Sequence, residues 1–155
     1  MKGMVVYDTY FGNTKMVAEA IAEQIKADGH EAVLQSAREG MPQTLDADFM
    51  FIGSPTRIAK MTGKTKRFVK KLSKSSWGAM PICFFDTTGV GVEKATGRWS
   101  GTAAQKLHDL AREKGLNARD PVLHTEVKDV KGPLADDAVQ KAKDFAHEVI
   151  SSLGK

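Results

Sequence analysis

The chain has 155 residues, 41% of them hydrophobic and 27% charged, with a formal net charge of +4 and a pI near 9.2. These are the proportions of an ordinary soluble globule with a real core, and the length suits one domain over residues 1–155. No apolar run approaches the roughly 20 residues that span a bilayer, the lone Cys83 excludes an internal disulfide, and no CxxC or Cys/His cluster points to a metal.

Lys2 to Asp8 is a short apolar run that reads as a strand. It begins too soon to read as a signal peptide, which implies a cytoplasmic protein. Thr14 to Asp28 has helical periodicity, with Val17, Ile21 and Ile25 on one stripe and Gly29 as a stop. Ala32 to Gln35 is a weaker strand. A short helix between Ser36 and Ala47 is broken by Gly40 and Pro42. Phe49 to Gly53 is continuously apolar, and Met61 to Lys74 is a basic helix that turns Phe68, Val69 and Leu72 inward. Trp77 packs against a helix end before the next apolar strand, Pro81 to Asp86, in which Cys83 is a buried hydrophobe rather than a nucleophile. Ser100 to Lys114 puts Ala103, Leu107, Leu110 and Ala111 on one face and stops at Gly115. Ala118 to Val127 is longer and more polar, as an edge strand would be, and Leu134 to Leu153 is the last helix.

Strands that are continuously apolar rather than alternating suit a parallel sheet covered on both faces. Their alternation with helices gives right-handed crossovers and a doubly wound α/β sandwich. In such sheets ligands bind beyond the carboxyl ends of the strands, near the switch in strand order. The loops that matter are therefore "TYFGNT", "SPTRIAKMTG" and "TTGVGVEKATGRWSG", which follow the first, third and fourth strands.

The first of these places Thr9, Gly12, Asn13 and Thr14 between a strand and a helix N-terminus. Unpaired amides and the helix dipole make that position an anion site. Hydroxyls and a permissive glycine suit a phosphomonoester, whereas a bare N-cap needs only one hydroxyl. Other phosphate motifs fail. "GKT" at 63–65 lacks the first Walker glycine, since position 58 is Ile58, and Gly89 and Gly91 begin a GxGxxG that breaks at Lys94. A phosphoacceptor domain of this topology needs clustered carboxylates, and Asp8 stands alone. His30, His108, His124 and His147 lie on separate elements and make no catalytic pair.

"YDTYFGNTKMVAEAIAEQI", "DFMFIGSPTR" and "FFDTTGVG" resemble the three ligand loops of the flavodoxin superfamily, over essentially the whole chain. "GSPTRIAKMTGKTKRF" also resembles the second loop of the flavodoxin-like NAD(P)H:quinone oxidoreductases. The resemblance implies a three-layer flavodoxin-like sandwich with a five-stranded parallel sheet in the order 2-1-3-4-5 and one non-covalent FMN. The FMN phosphate would sit on Thr9, Tyr10, Phe11, Gly12, Asn13 and Thr14. The ring would lie between Ser54, Pro55, Thr56, Arg57 and Ile58 on one side and Asp86, Thr87, Thr88, Gly89 and Gly91 on the other. Trp99 would be the stacking aromatic, and Arg57 a guanidinium able to stack on the ring. Ala59 and Lys60 stand where such loops carry a glycine that takes positive φ, which implies a weaker hold on one-electron-reduced flavin.

No acidic residue lies between Phe49 and Phe85, against eight basic ones, Arg57, Lys60, Lys64, Lys66, Arg67, Lys70, Lys71 and Lys74. The rest of the chain carries 15 basic and 19 acidic residues. The basic helix at 60–74 is either a solvated face or a surface that steers an acidic redox partner. The leading function is an electron carrier, a monomer or weak homo-oligomer with redox protein partners; the alternative is an FMN-dependent NAD(P)H:quinone oxidoreductase. No interleaving of aromatic and basic residues supports a nucleic-acid binder, and no segment supports a membrane role.

Overall fold

A computed structural model describes residues 1–77, 79–97 and 100–154. Five strands alternate with four helices: β1 Lys2–Tyr7, α1 Asn13–Ala27, β2 Glu31–Ser36, β3 Phe49–Pro55, α2 Gly63–Ser73, β4 Ile82–Gly89, α3 Ala103–Glu113, β5 Leu123–Val127 and α4 Ala138–Leu153. The strands form one sheet in the order β2-β1-β3-β4-β5, every pairing parallel, as the flavodoxin-like expectation requires. No helix among the described residues is long and apolar enough to cross a membrane.

Successive side chains of the central strands alternate between two cores, one on each face of the sheet. Val5, Phe51 and Phe85 join Val17, Ile21 and Ile25 of α1 and Ala142, Phe145 and Ala146 of α4. Met4, Val6, Met50, Ile52 and Phe84 join Phe68, Val69 and Leu72 of α2 and Ala104, Leu107 and Ala111 of α3. Each fully buried Leu, Ile or Phe in these layers contributes on the order of 1.5–3 kcal/mol, so the two layers fix which strand ends share an edge. Cys83 is buried in the first core, and Trp77 is half-buried against the second.

The strand limits differ from the apolar runs. β3 and β4 continue past the apolar stretch to Pro55 and Gly89, because Ser54 pairs in register with Asp86 and Pro55 with Thr87. β5 begins only at Leu123. Asp120-Pro121 interrupts the ladder, leaving Ala118 as an isolated bridge to Ile82. The segment after β2 forms only a single 3-10 turn, Ala37–Glu39, which ends at Gly40. α4 starts at Ala138 rather than Leu134, which instead bridges back to Val127.

Candidate functional site

β1, β3 and β4 end at the same edge of the sheet, and their loops meet there. Gly12 takes a left-handed φ of 92° that turns the chain into α1, and its N–H donates to Thr9 Oγ1 at 2.9 Å. α1 has no side-chain cap. The amides of its first turn therefore keep their unpaired N–H groups and partial positive charge. The hydroxyls of α2 and α3 do the opposite: Thr62 accepts from Thr65 N–H and Thr102 from Gln105 N–H. α4 also lacks a side-chain cap, but none of its residues lines the cavity at this edge.

That cavity measures about 390 Å³. Its first wall is Thr9, Tyr10, Phe11, Asn13 and Thr14, its second Pro55, Thr56, Arg57 and Ile58, and Thr87 and Gly89 come from the third loop. At its floor the Thr14 and Thr87 hydroxyls lie 2.9 Å apart, joining the first loop to the third. Hydroxyls and uncapped amides at one end and an apolar middle fit a phosphomonoester carried on a planar ring.

Other residues singled out in the sequence hold the site from behind. Ser54 Oγ is fully buried, accepts from Thr62 N–H at 3.0 Å and donates to the Pro55 carbonyl. Thr88 is buried and donates to the Thr125 carbonyl, while Gly91 donates its N–H to Glu126 Oε2. Asp86 is fully buried. It accepts from Ala104 N–H at 2.9 Å and lies 2.9 Å from His124 Nδ1. Trp99 lies outside the described residues.

The second loop closes on itself. Arg57 and Lys60 exchange both backbone hydrogen bonds, at 2.8 and 3.0 Å, around Ile58 at φ 51° and Ala59 at φ 63°. This is the two-residue turn that normally selects Asn-Gly, so positive φ is adopted here without glycine. The Arg57 guanidinium carbon sits 4.6 Å from the centre of the Tyr10 ring, and that of Arg38 sits 5.3 Å from it. Arg57 thus stacks on an aromatic of the first loop. Arg38 Nε donates at 2.7 Å to buried Asp8, whose carboxylate also accepts Thr9 N–H. Asp8 is the lone carboxylate of the first loop, and its role is to anchor it.

Sequence reasoning missed a fourth wall. Val127, Lys128, Asp129 and Val130 also line the cavity, as do Val90 and Val92. Asn13 Nδ2 donates to the Lys131 carbonyl at 3.2 Å, and the Lys131 ammonium lies 6.0 Å from the Phe11 ring centre. The signal was present: in a parallel sheet the loop after β5 leaves the same edge, and Gly132 has a φ of 104° with no room for a Cβ, which would meet Asn13 Oδ1 at 2.7 Å.

Electrostatics separates site from scaffold. The His124 pKa is raised, chiefly by its hydrogen bond to Asp86. Burial pushes Asp86 upward, and His124 and the Ala104 amide pull it back. Burial pushes the Cys83 thiol up to about 12, which leaves it inert. No group of His, Cys, Asp and Glu among the described residues is placed to hold a metal ion.

Comparison with known proteins agrees with this geometry. A family model described as a flavodoxin domain matches residues 4–120. The flavodoxin of Aquifex aeolicus is 36% identical over 93 residues, covering 57% of this chain and 50% of that one. An uncharacterized protein of Methanocaldococcus jannaschii is 26% identical over 124 residues, covering 77% of this chain and 29% of its own. The chain thus spans half or less of the length of these relatives. The structure of a flavodoxin from the domain Archaea superposes over 100% of both chains with a TM-score of 0.81 and 27% identity. Oxidised Flavodoxin 1 from Bacillus cereus, at 17% identity, covers 97% of this chain and 98% of its own with a TM-score of 0.77, a likeness of fold. With a family model that matches most of its length, the chain belongs to the flavodoxin family.

Proposed function

We propose that this chain is a one-domain, FMN-binding electron carrier. The observation that carries the proposal is the uncapped N-terminus of α1 opening, with Thr9 and Thr14, into a cavity walled by the loops after β1, β3 and β4. Family membership implies a flavin, and the uncapped start of α1 beside the Thr9 and Thr14 hydroxyls supports FMN, whose phosphate those donors would receive. When bound, FMN supplies the electron chemistry, and the protein's part is to bind, orient and tune it.

The α1 amides and the Thr9 and Thr14 hydroxyls would hold the phosphate through hydrogen-bond donors. Asp8, locked by Arg38, keeps the first loop in shape. Pro55, Thr56 and Ile58 on one side and Gly89 and Val90 on the other would flank the ring. The apolar side chains of these walls would disfavour negative charge on the ring, while Arg57, turned onto Tyr10, and Lys128 line the same cavity. Thr56 is fixed for this task, since its Oγ1 accepts Ala103 N–H at 3.0 Å and its N–H donates to the Thr87 carbonyl. The partner is a redox protein with an acidic face, matched to the basic stretch at 60–74.

Absorption spectroscopy before and after adding FMN tests the assignment. The expected result is a perturbed two-band flavin spectrum, with FMN and not FAD released on heating. An added FMN whose spectrum stays that of the free compound would overturn it. Steady-state NADPH oxidation with a benzoquinone separates the functions: an electron carrier shows none of the sustained turnover expected of a quinone reductase.

A further inference from the structure

We propose that the groove between the turn Ala37–Glu39 and α2 is the docking site for an acidic segment of the partner protein. The proposal rests on the electron-carrier function and names the surface the partner uses. The groove is a separate cavity of about 140 Å³. One wall runs from Arg38 to Met41, and the other is a single stripe of α2 at helical spacing, Lys64, Arg67, Phe68 and Lys71. Four cations therefore face one carboxylate, Glu39. Among the described residues, Lys64, Arg67 and Lys71 form no salt bridge. Like charges three and four residues apart on a helix repel, so a stripe with no internal counter-ion is relieved by an external one.

Arg38 makes the groove more than a solvated face. Its Nε is held by Asp8, which leaves the two terminal nitrogens of the guanidinium for a carboxylate. Asp8 is 1% exposed and its Oδ2 already lacks a partner, so moving Arg38 away would strand a buried charge. Arg38 is thus a preorganised cation, whereas the lysines adapt around it. The same guanidinium touches the Tyr10 ring, which lines the flavin cavity, so a segment seated in the groove lies beside the mouth of the redox site. A nucleic acid fits less well, because the groove's own aromatic, Phe68, is buried and offers no face for base stacking.

The test uses the FMN-loaded, isotope-labelled chain titrated with an acidic b-type cytochrome as probe. Amide shifts are expected to cluster at residues 38–41 and 64–71. With the flavin first reduced by dithionite, the rate at which it gives one electron to the ferric haem, itself becoming oxidised by one electron, should fall about tenfold or more at low salt in the Arg67→Glu/Lys71→Glu variant. Lys26→Glu/Lys114→Glu makes the same change in net charge at the ends of α1 and α3 and should stay within about twofold of the parent. Equal slowing by both double variants, or shifts that map elsewhere, would overturn the groove. So would a polyuridine oligonucleotide that displaces the cytochrome while shifting the same amides, which would make the surface a nucleic-acid site. A parent chain that takes up no FMN fails the flavin assignment itself, a result read in the spectrum before any cytochrome is added.

Discussion

Ile58 and Ala59 occupy left-handed backbone where L-residues with side chains are strained, while two glycines of this chain serve a different need. A Cβ on Gly53 would lie 2.0 Å from the Phe85 ring, and one on Gly3 would lie 2.4 Å from that of Phe49. Those glycines provide space inside the sheet. The second loop, in contrast, adopts positive φ without one, at a cost on the order of 1–3 kcal/mol per residue. Ile58 is 71% exposed, so its side chain recovers little by packing. Ile58→Gly is therefore expected to stabilise the flavin-free protein by about 0.5–1 kcal/mol, the relief of strain outweighing the entropy glycine adds to the unfolded chain. The midpoint of urea unfolding measures it, and a lower midpoint would show that the Ile58 side chain holds the turn in place. Two consecutive positive φ angles were not legible in "RIAK", because Ile and Ala are residues that propensity keeps out of such turns. The reciprocal bonds between Arg57 and Lys60 close the turn, and its flanks are fixed from outside the local sequence, Thr56 N–H by the Thr87 carbonyl and Thr62 N–H by Ser54 Oγ.

At the scale of elements, apolar continuity identified β1, β3 and β4, and helical stripes identified every helix. Both signals come from burial, which is why they fail where burial and pairing part company. The polar ends "SP" and "TTG" remain in the ladder because their sheet neighbours are also polar and hydrogen-bonded, as Ser54 and Asp86 are. The wall formed by residues 127–130 was missed for another reason: beyond the parallel order of the strands, it depends on Asn13 holding the Lys131 carbonyl, a contact 118 residues apart. The Asp86–His124 pair escaped notice because neighbouring strands, not spacing in the sequence, bring it together. Asp86 also accepts from Ala104 N–H, so the pair ties β4, β5 and the start of α3 behind the third loop. His124, facing Asp86 with Glu93 in support and Lys141 opposed, has a raised pKa. Its charged form favours the folded state, so this contribution is complete below the ordinary histidine value of 6.5 and is lost as pH rises through the elevated folded value. His124→Gln keeps a neutral hydrogen bond and is expected to cost about 1–2 kcal/mol at mildly acid pH. The difference from the parent should shrink towards alkaline pH. Thermal unfolding of both chains across that range measures it, and a gap independent of pH would show that the imidazole acts only as a neutral donor.

For the molecule as a whole, the two cores lie on the faces of the sheet, and the cavity lies at one edge, among the strand ends and the loops that follow them. Among the described residues, none of the buried members of the two cores lines that cavity, so the flavin-free chain is expected to unfold in a single cooperative transition. A ligand that binds only the folded form adds stability by mass action, about 2.7 kcal/mol at a concentration of 100 times Kd. For a chain of this size that corresponds to a rise in Tm of roughly 5–10 °C. The size of the rise depends on which end of the cavity supplies the affinity. The slot around the ring has Arg57 turned onto Tyr10 and Ile58 turned to solvent, whereas the phosphate end offers preformed donors on the rigid start of α1. FMN should therefore raise Tm well beyond the effect of riboflavin at the same concentration, since riboflavin has the ring but not the phosphate. Inorganic phosphate at high concentration should give a small rise of its own and weaken the response to FMN by competing for the same amides. Equal shifts from FMN and riboflavin would move the affinity to the ring slot. The hydroxyls of the first loop would then be left with a structural role, as the turn that carries β1 into α1.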